Sequence, residues 1–125
     1  MRRIVNTEWK KPNAPHEWAV IANGTLYSVH VPIRSDGTIE TGSAVAQAEV
    51  TFADLAKTLE TAGADFGDVV LVQIYLTSLS HKPAVDEIYK RHFTRPYPVR
   101  ACIAVSELPT ASTVIEVVAT TAIDR

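Results

Sequence analysis

The chain has 125 residues, 46% of them hydrophobic, with 12 Lys and Arg against 14 Asp and Glu for a net charge of −2. This composition excludes intrinsic disorder, and the weakly acidic balance argues against the basic face that a nucleic-acid partner requires. The length predicts a single domain over residues 1–125 that buries a core without disulfide or metal staples.

A short first strand is predicted at Arg3–Thr7, ahead of a polar, Pro-broken loop over residues 10–16. The apolar run Trp18–Ile21 leads into Asn23-Gly24, a strong hairpin signal, and a return strand rich in β-formers follows from Thr25 to Val31. Pro32 stops that strand, and Ser35-Asp36-Gly37 marks a second turn. Residues 43–62 read as the longest helix, because Val45, Ala48, Phe52, Leu55, Leu59 and Ala62 form one apolar stripe. Ser43 is placed to cap its start, and Gly63 stands where a helix end favours positive φ. From Asp68 to Thr77 the sequence is almost continuously apolar, which predicts a central strand buried on both faces. A second helix over residues 82–93 carries Val85, Ile88, Tyr89 and Phe93 before Pro96 and Pro98 break the chain. Two closing strands, Val99–Val105 and Thr113–Ile123, are joined by a loop containing Leu108-Pro109.

The resulting order, β-β-β-α-β-α-β-β, is an α+β plait with two helices on one face of a mixed sheet. Two helices cover only one side, yet the strands at 69–76, 99–105 and 114–119 are apolar on both. The uncovered face therefore predicts a homo-oligomer.

Two charges interrupt these apolar strands. Arg100 lies within Val99–Val105, and Glu116 within Val114–Ala119. A buried lone charge is expensive, so each needs a partner or a ligand. Alternation puts Arg100, Cys102 and Ala104 on one face of their strand. If the 106–112 loop closes the two strands into a hairpin, a register pairing Cys102 with Glu116 sets Arg100 diagonally beside Glu116. The pair then reads either as a structural ion pair at a subunit contact or as a carboxylate-binding Arg with a water-activating Glu, work to which the planar guanidinium fork is suited.

The stretch Arg100-Ala101-Cys102-Ile103-Ala104-Val105, followed by Leu108-Pro109 and Val114-Ile115-Glu116-Val117-Val118-Ala119, resembles the C-terminal signature of the RidA/YjgF family of reactive-intermediate deaminases. Upstream, Ala62-Gly63-Ala64 and the run Asp68-Val69-Val70 through Ile74-Tyr75-Leu76-Thr77 are similar to another segment of that family, and Ile88-Tyr89 with Phe93 resemble its second helix. The resemblance covers nearly the whole chain from Asn23 onward. It implies a chorismate-mutase-like fold, a homotrimer, and ligand sites in clefts between subunits. It also implies hydrolysis of short-lived enamines and imines such as 2-iminopropanoate to a 2-keto acid and ammonia, with no metal or organic cofactor. On this resemblance Arg100 grips the substrate carboxylate, Cys102 contacts the ligand through its backbone, and Glu116 orients or activates the attacking water.

The chain also departs from the family pattern. Ser28-Val29-His30 stands before Pro32 where active members carry Ser-Gly-Gln, so Val29 reshapes the pocket and His30 brings a group that titrates near neutrality. Asp86 stands where an Asn is expected one turn before the helix Tyr, and the pocket Tyr is missing around Pro15-His16-Glu17-Trp18. The spacing from Pro109 to Glu116 is one residue longer than usual. Ser28, Val29, His30 and Asp86 thus join Arg100 and Cys102 as candidate substrate contacts.

The four histidines show no metal-ligand spacing, and a small Cys on a strand reads as packing more readily than as a thiolate nucleophile. The expected partner is a small carboxylate-bearing metabolite, with the imine hydrolase as the leading reading and a non-catalytic carboxylate-binding trimer as its rival. A ribonuclease, an activity also attached to the family, conflicts with the net charge and the lack of a basic patch. No apolar run approaches the ~18 residues of a membrane span, the N-terminal residues show no apolar signal region, and Cys102 stands alone, so a cytoplasmic protein without membrane contact is expected.

Overall fold

A computed structural model describes residues 2–123, so the first residue and the last two of the expected domain lie outside the described residues. The elements follow the predicted order: β1 (Arg3–Ile4), β2 (Ala19–Ala22), β3 (Thr25–His30), α1 (Ala44–Ala62), β4 (Val69–Leu76), α2 (Lys82–His92), β5 (Val99–Ala104) and β6 (Ile115–Ala122). Local chemistry sets their ends. Asn23 and Gly24 take φ of 52° and 68°, the left-handed pair that closes a two-residue hairpin in step with strand twist. Ser43 Oγ accepts a hydrogen bond from the Ala46 N–H at 3.1 Å, capping α1, which ends at Gly63 with φ 78°.

The sheet runs in the order β1-β2-β3-β6-β4-β5, antiparallel throughout except for the parallel β4/β5 pair. The conditional β5/β6 hairpin is therefore not formed. The chain crosses from β4 through α2 to a parallel β5, which takes the outer edge of β4. β6 then fills the gap between β3 and β4, so both of those strands gain a ladder that a terminal hairpin would have denied them.

One face of the sheet lies under α1 and α2. Leu26 of β3, Val72, Ile74 and Leu76 of β4, and Ile115, Val117 and Ala119 of β6 join Phe52, Leu55 and Leu59 of α1 and Val85, Ile88 and Tyr89 of α2 in one buried cluster. Val45, expected on the apolar stripe of α1, is exposed because it precedes the turn at which the helix meets the sheet. The opposite face carries Tyr27, Leu71, Gln73, Tyr75, Glu116, Val118 and Ile103 by alternation along the registered strands. Within one chain this face stays open: Tyr27 is 52% and Ile103 48% exposed. The expectation that β4 is buried on both faces is thus corrected, since Leu71, Gln73 and Tyr75 remain only half-buried without a cover.

Candidate functional site

Arg100 enters near the start of the edge strand β5, opposite Val72 and therefore on the helix side of the sheet. There it reaches α2. Its Nη1 donates to Asp86 Oδ1 at 2.7 Å, and its guanidinium carbon sits 4.7 Å from the centre of the Tyr89 ring. Lys82, one helical turn before Asp86, donates to Asp86 Oδ2 at 2.8 Å. A recess of about 340 Å³ opens at this corner, bordered by Asp86, Tyr89, Lys90, Tyr97, Pro98 and Arg100. Burial pushes the Asp86 carboxyl up, but the hydrogen bonds and charges of Lys82 and Arg100 outweigh it and hold the group below its ordinary range. Burial raises the Tyr89 phenol, with Arg100 opposing.

Glu116 projects from the other face of β6, across from Tyr75. It borders a recess of about 500 Å³ whose walls include His16, Glu17, Trp18, Val29 and Pro109. Burial pushes its carboxyl above the usual Glu value, while the neighbouring His16 charge pulls the other way. Its environment therefore moves it toward the range useful for proton transfer near neutrality.

Arg100 and Glu116 are not neighbours in one chain. β4 lies between their strands, and the two side chains leave opposite faces of the sheet. The sequence-level pairing of Arg100 with Glu116 through a hairpin is corrected accordingly, as is the pairing of Cys102 with Glu116. Cys102 lies opposite Ile74 and packs against the core. Burial raises its thiol, which disfavours the thiolate that nucleophilic work would need.

The Ser28-Val29-His30 segment divides between the two faces. Val29 walls the Glu116 recess, and Ser28 also borders a smaller adjoining groove of about 250 Å³. The side chain of His30 is fully buried on the helix side, away from both recesses. Its Nδ1 hydrogen-bonds Asp54 Oδ2 at 2.7 Å and its Nε2 meets Ser28 Oγ at 2.7 Å. Because a carboxylate only accepts, Nδ1 carries the proton and the Ser28 hydroxyl donates to Nε2. Asp54 Oδ2 also receives Lys10 Nζ at 2.5 Å, and Lys10 donates to the Val29 carbonyl at 3.0 Å. The Lys10 ammonium lies 4.5 Å from the centre of the Trp18 ring. Burial pulls both His30 and Lys10 below their ordinary values; the Asp54 hydrogen bond opposes it at His30, and the Asp54 charge and hydrogen bond do so at Lys10.

Sequence reasoning missed three contributors. Lys10 reads as part of a polar loop, yet it tethers that loop to the core. Asp54 sits inside an amphipathic helix and looks like a solvated charge, although its position two residues after Phe52 and one before Leu55 on the buried stripe was a usable signal. His16 joins Glu116 only because the N-terminal loop folds back over β6.

The profile of the family described as endoribonuclease L-PSP matches residues 8–123. The chain is a member of the RidA/YjgF family. It is 33% identical over 124 residues to the human 2-iminobutanoate/2-iminopropanoate deaminase, with 95% of this chain and 90% of that protein covered. A Myxococcus xanthus protein named DfrA is 39% identical over 118 residues, covering 90% and 89%. The crystal structure of RidA from an Antarctic Psychrobacter superposes with a TM-score of 0.87 at 27% identity, covering 97% of this chain and 99% of that one. The six-stranded sheet with two helices is thus the RidA α+β architecture.

Proposed function

We propose that this chain hydrolyses small 2-imino acids, or their enamine tautomers, to 2-keto acids and ammonia in clefts between the subunits of a homotrimer. The observation that carries the reading is the division of the site: Arg100 borders a recess at one sheet edge, while Glu116 lies on the open face beyond β4. A ligand that needs both requires a second copy of the chain, and the exposed apolar side of the sheet is the surface such a copy would cover. The deaminase names of relatives such as the human protein support the same chemistry.

In this scheme Arg100 of one subunit holds the substrate carboxylate, with the backbone at Cys102 beside it. Glu116 of the neighbour accepts a proton from water as the water oxygen bonds to the imine carbon and the C=N π electrons move to nitrogen. Glu116 returns that proton to the nitrogen, completing the tetrahedral amino alcohol. On collapse the hydroxyl proton passes through Glu116 to the nitrogen as the O–H electron pair forms the C=O bond and the C–N pair leaves with ammonia. One imine and one water give one ketone and one ammonia, and no oxidant or cofactor enters the balance. The raised carboxyl of Glu116 suits both halves of this exchange. Ammonia and keto-acid release from freshly generated 2-iminopropanoate tests the reading. Wild-type turnover that disappears in Arg100→Ala is expected; turnover unchanged in Arg100→Ala defeats the mechanism.

The ion pair that already engages Arg100 favours a second reading, a trimeric module that binds small carboxylates without turning them over. Calorimetry with 2-oxobutanoate separates the two: Arg100-dependent binding without imine turnover assigns the module.

A further inference from the structure

The recess that Glu116 borders holds a second group able to move a proton. His16 lines it too, carried there by the N-terminal loop that folds back over β6. Two contacts hold the His16 ring. Nδ1 lies 3.2 Å from the Glu17 carbonyl oxygen, and the ring meets Trp18 edge-on, with centroids 4.8 Å apart and planes at 88°. A carbonyl only accepts, so this bond puts a proton on Nδ1 and leaves Nε2 as the nitrogen that gains and loses one. Trp18 is itself anchored, because the buried Lys10 ammonium sits 4.5 Å from the centre of its ring. We propose that His16 is a second catalytic residue of this recess, supplying from Nε2 the proton that the departing nitrogen takes up. The proposal rests on the hydrolase reading above and adds to it a group which that reading does not use.

The collapse of the amino alcohol shows what such a group contributes. One proton must leave the hydroxyl and one must reach the nitrogen. A single carboxylate does this in sequence, whereas an acid and a base do it together. The imidazolium Nε2 proton passes to the nitrogen as the C–N pair leaves with ammonia, while Glu116 takes the hydroxyl proton and the O–H pair forms the C=O bond. Glu116 then hands its proton to the neutral Nε2. Carboxylate and imidazolium are both restored, no co-reactant is consumed, and His16 stands between Glu116 and the nitrogen in this second transfer. The electrostatics match the pairing. Burial raises the Glu116 carboxyl and the His16 charge opposes that rise, so the two groups interact across the recess. β3 contributes only Val29 and Val31 to the walls, and the loop before β6 contributes Pro109 and Thr110. The other charged groups around His16 are Glu17 beside it, Arg2 in an adjoining recess of about 510 Å³, and Lys10 beyond the Trp18 ring.

Ammonia release from freshly generated 2-iminopropanoate, corrected for the uncatalysed reaction and followed from about pH 5 to 9, tests the assignment. Wild type should give a bell, with an acid limb from protonation of Glu116 and an alkaline limb from loss of the imidazolium proton. His16→Phe keeps an aromatic ring against Trp18 but carries no proton to give, and His16→Gln keeps a polar side chain that does not titrate. Each should lower kcat by about 10²-fold and abolish the alkaline limb while the acid limb stays. KM should change little, because Arg100 rather than His16 holds the carboxylate. His16 is exposed, so both variants should fold and melt like wild type. Wild-type kcat in His16→Phe, or an alkaline limb retained in both variants, overturns the proposal. A wild-type protein that releases no ammonia above the uncatalysed rate removes the hydrolase reading and this proposal with it. Turnover that depends on Arg100 but not on His16 removes this proposal alone.

Discussion

Replacing Asp54 by Asn tests the account of the buried polar chain most directly. Asp54 and Lys10 meet at 2.5 Å with side chains 0% and 3% exposed, and His30 and Ser28 extend the same network into the sheet. The isosteric change keeps volume and shape but deletes the negative charge, leaving the Lys10 ammonium buried against a neutral amide and the Val29 carbonyl. Removing one partner of a buried ion pair costs about 3–5 kcal/mol, whereas replacing both by apolar groups is often neutral. An unfolding entropy of about 2.1 cal/mol/K per residue converts that loss to a fall in Tm of roughly 10–20 °C for a domain of this size. Thermal unfolding followed by circular dichroism at fixed protomer concentration reads the shift. The double variant Lys10→Met/Asp54→Leu should recover most of the loss, because no uncompensated charge remains. A Tm within about 3 °C of wild type for Asp54→Asn, or a double variant no better than the single one, refutes the reasoning.

Three further outcomes follow from the same structure. His30 is held below its ordinary value of 6.5, so the unfolded chain binds its proton first and stability is lost as pH falls below 6.5 toward the folded-state value. Denaturant melts between pH 7 and 5 should show this loss, and His30→Gln should flatten it. Glu116 is raised above 4.5, so the acid limb of the proposed imine hydrolysis should lie above that of an ordinary Glu, and Glu116→Gln should lower that turnover by about 10²–10⁴-fold. Ile103→Glu puts a charge on the open sheet face and should shift the proposed trimer to monomer in sedimentation equilibrium; an unchanged mass would remove that face from the proposed interface.

The sequence by itself determined what depends on neighbours along the chain. Asn23-Gly24 specifies its turn because few residues accept positive φ there, and Ser43 and Gly63 bracket α1 through bonds that close within one turn. Alternation also assigned Arg100 and Cys102 to one face of β5 correctly. The tertiary structure decided what depends on strand order. A period of two places a residue on a face but does not name the strand beside it, so only the sheet showed β6 between β3 and β4, with Arg100 and Glu116 separated by β4. The burial of His30 was equally nonlocal, since its partner Asp54 lies 24 residues away and the charge that balances Asp54 comes from Lys10, 44 residues upstream. Those contacts exist because α1 packs across β3, which no window of local sequence encodes.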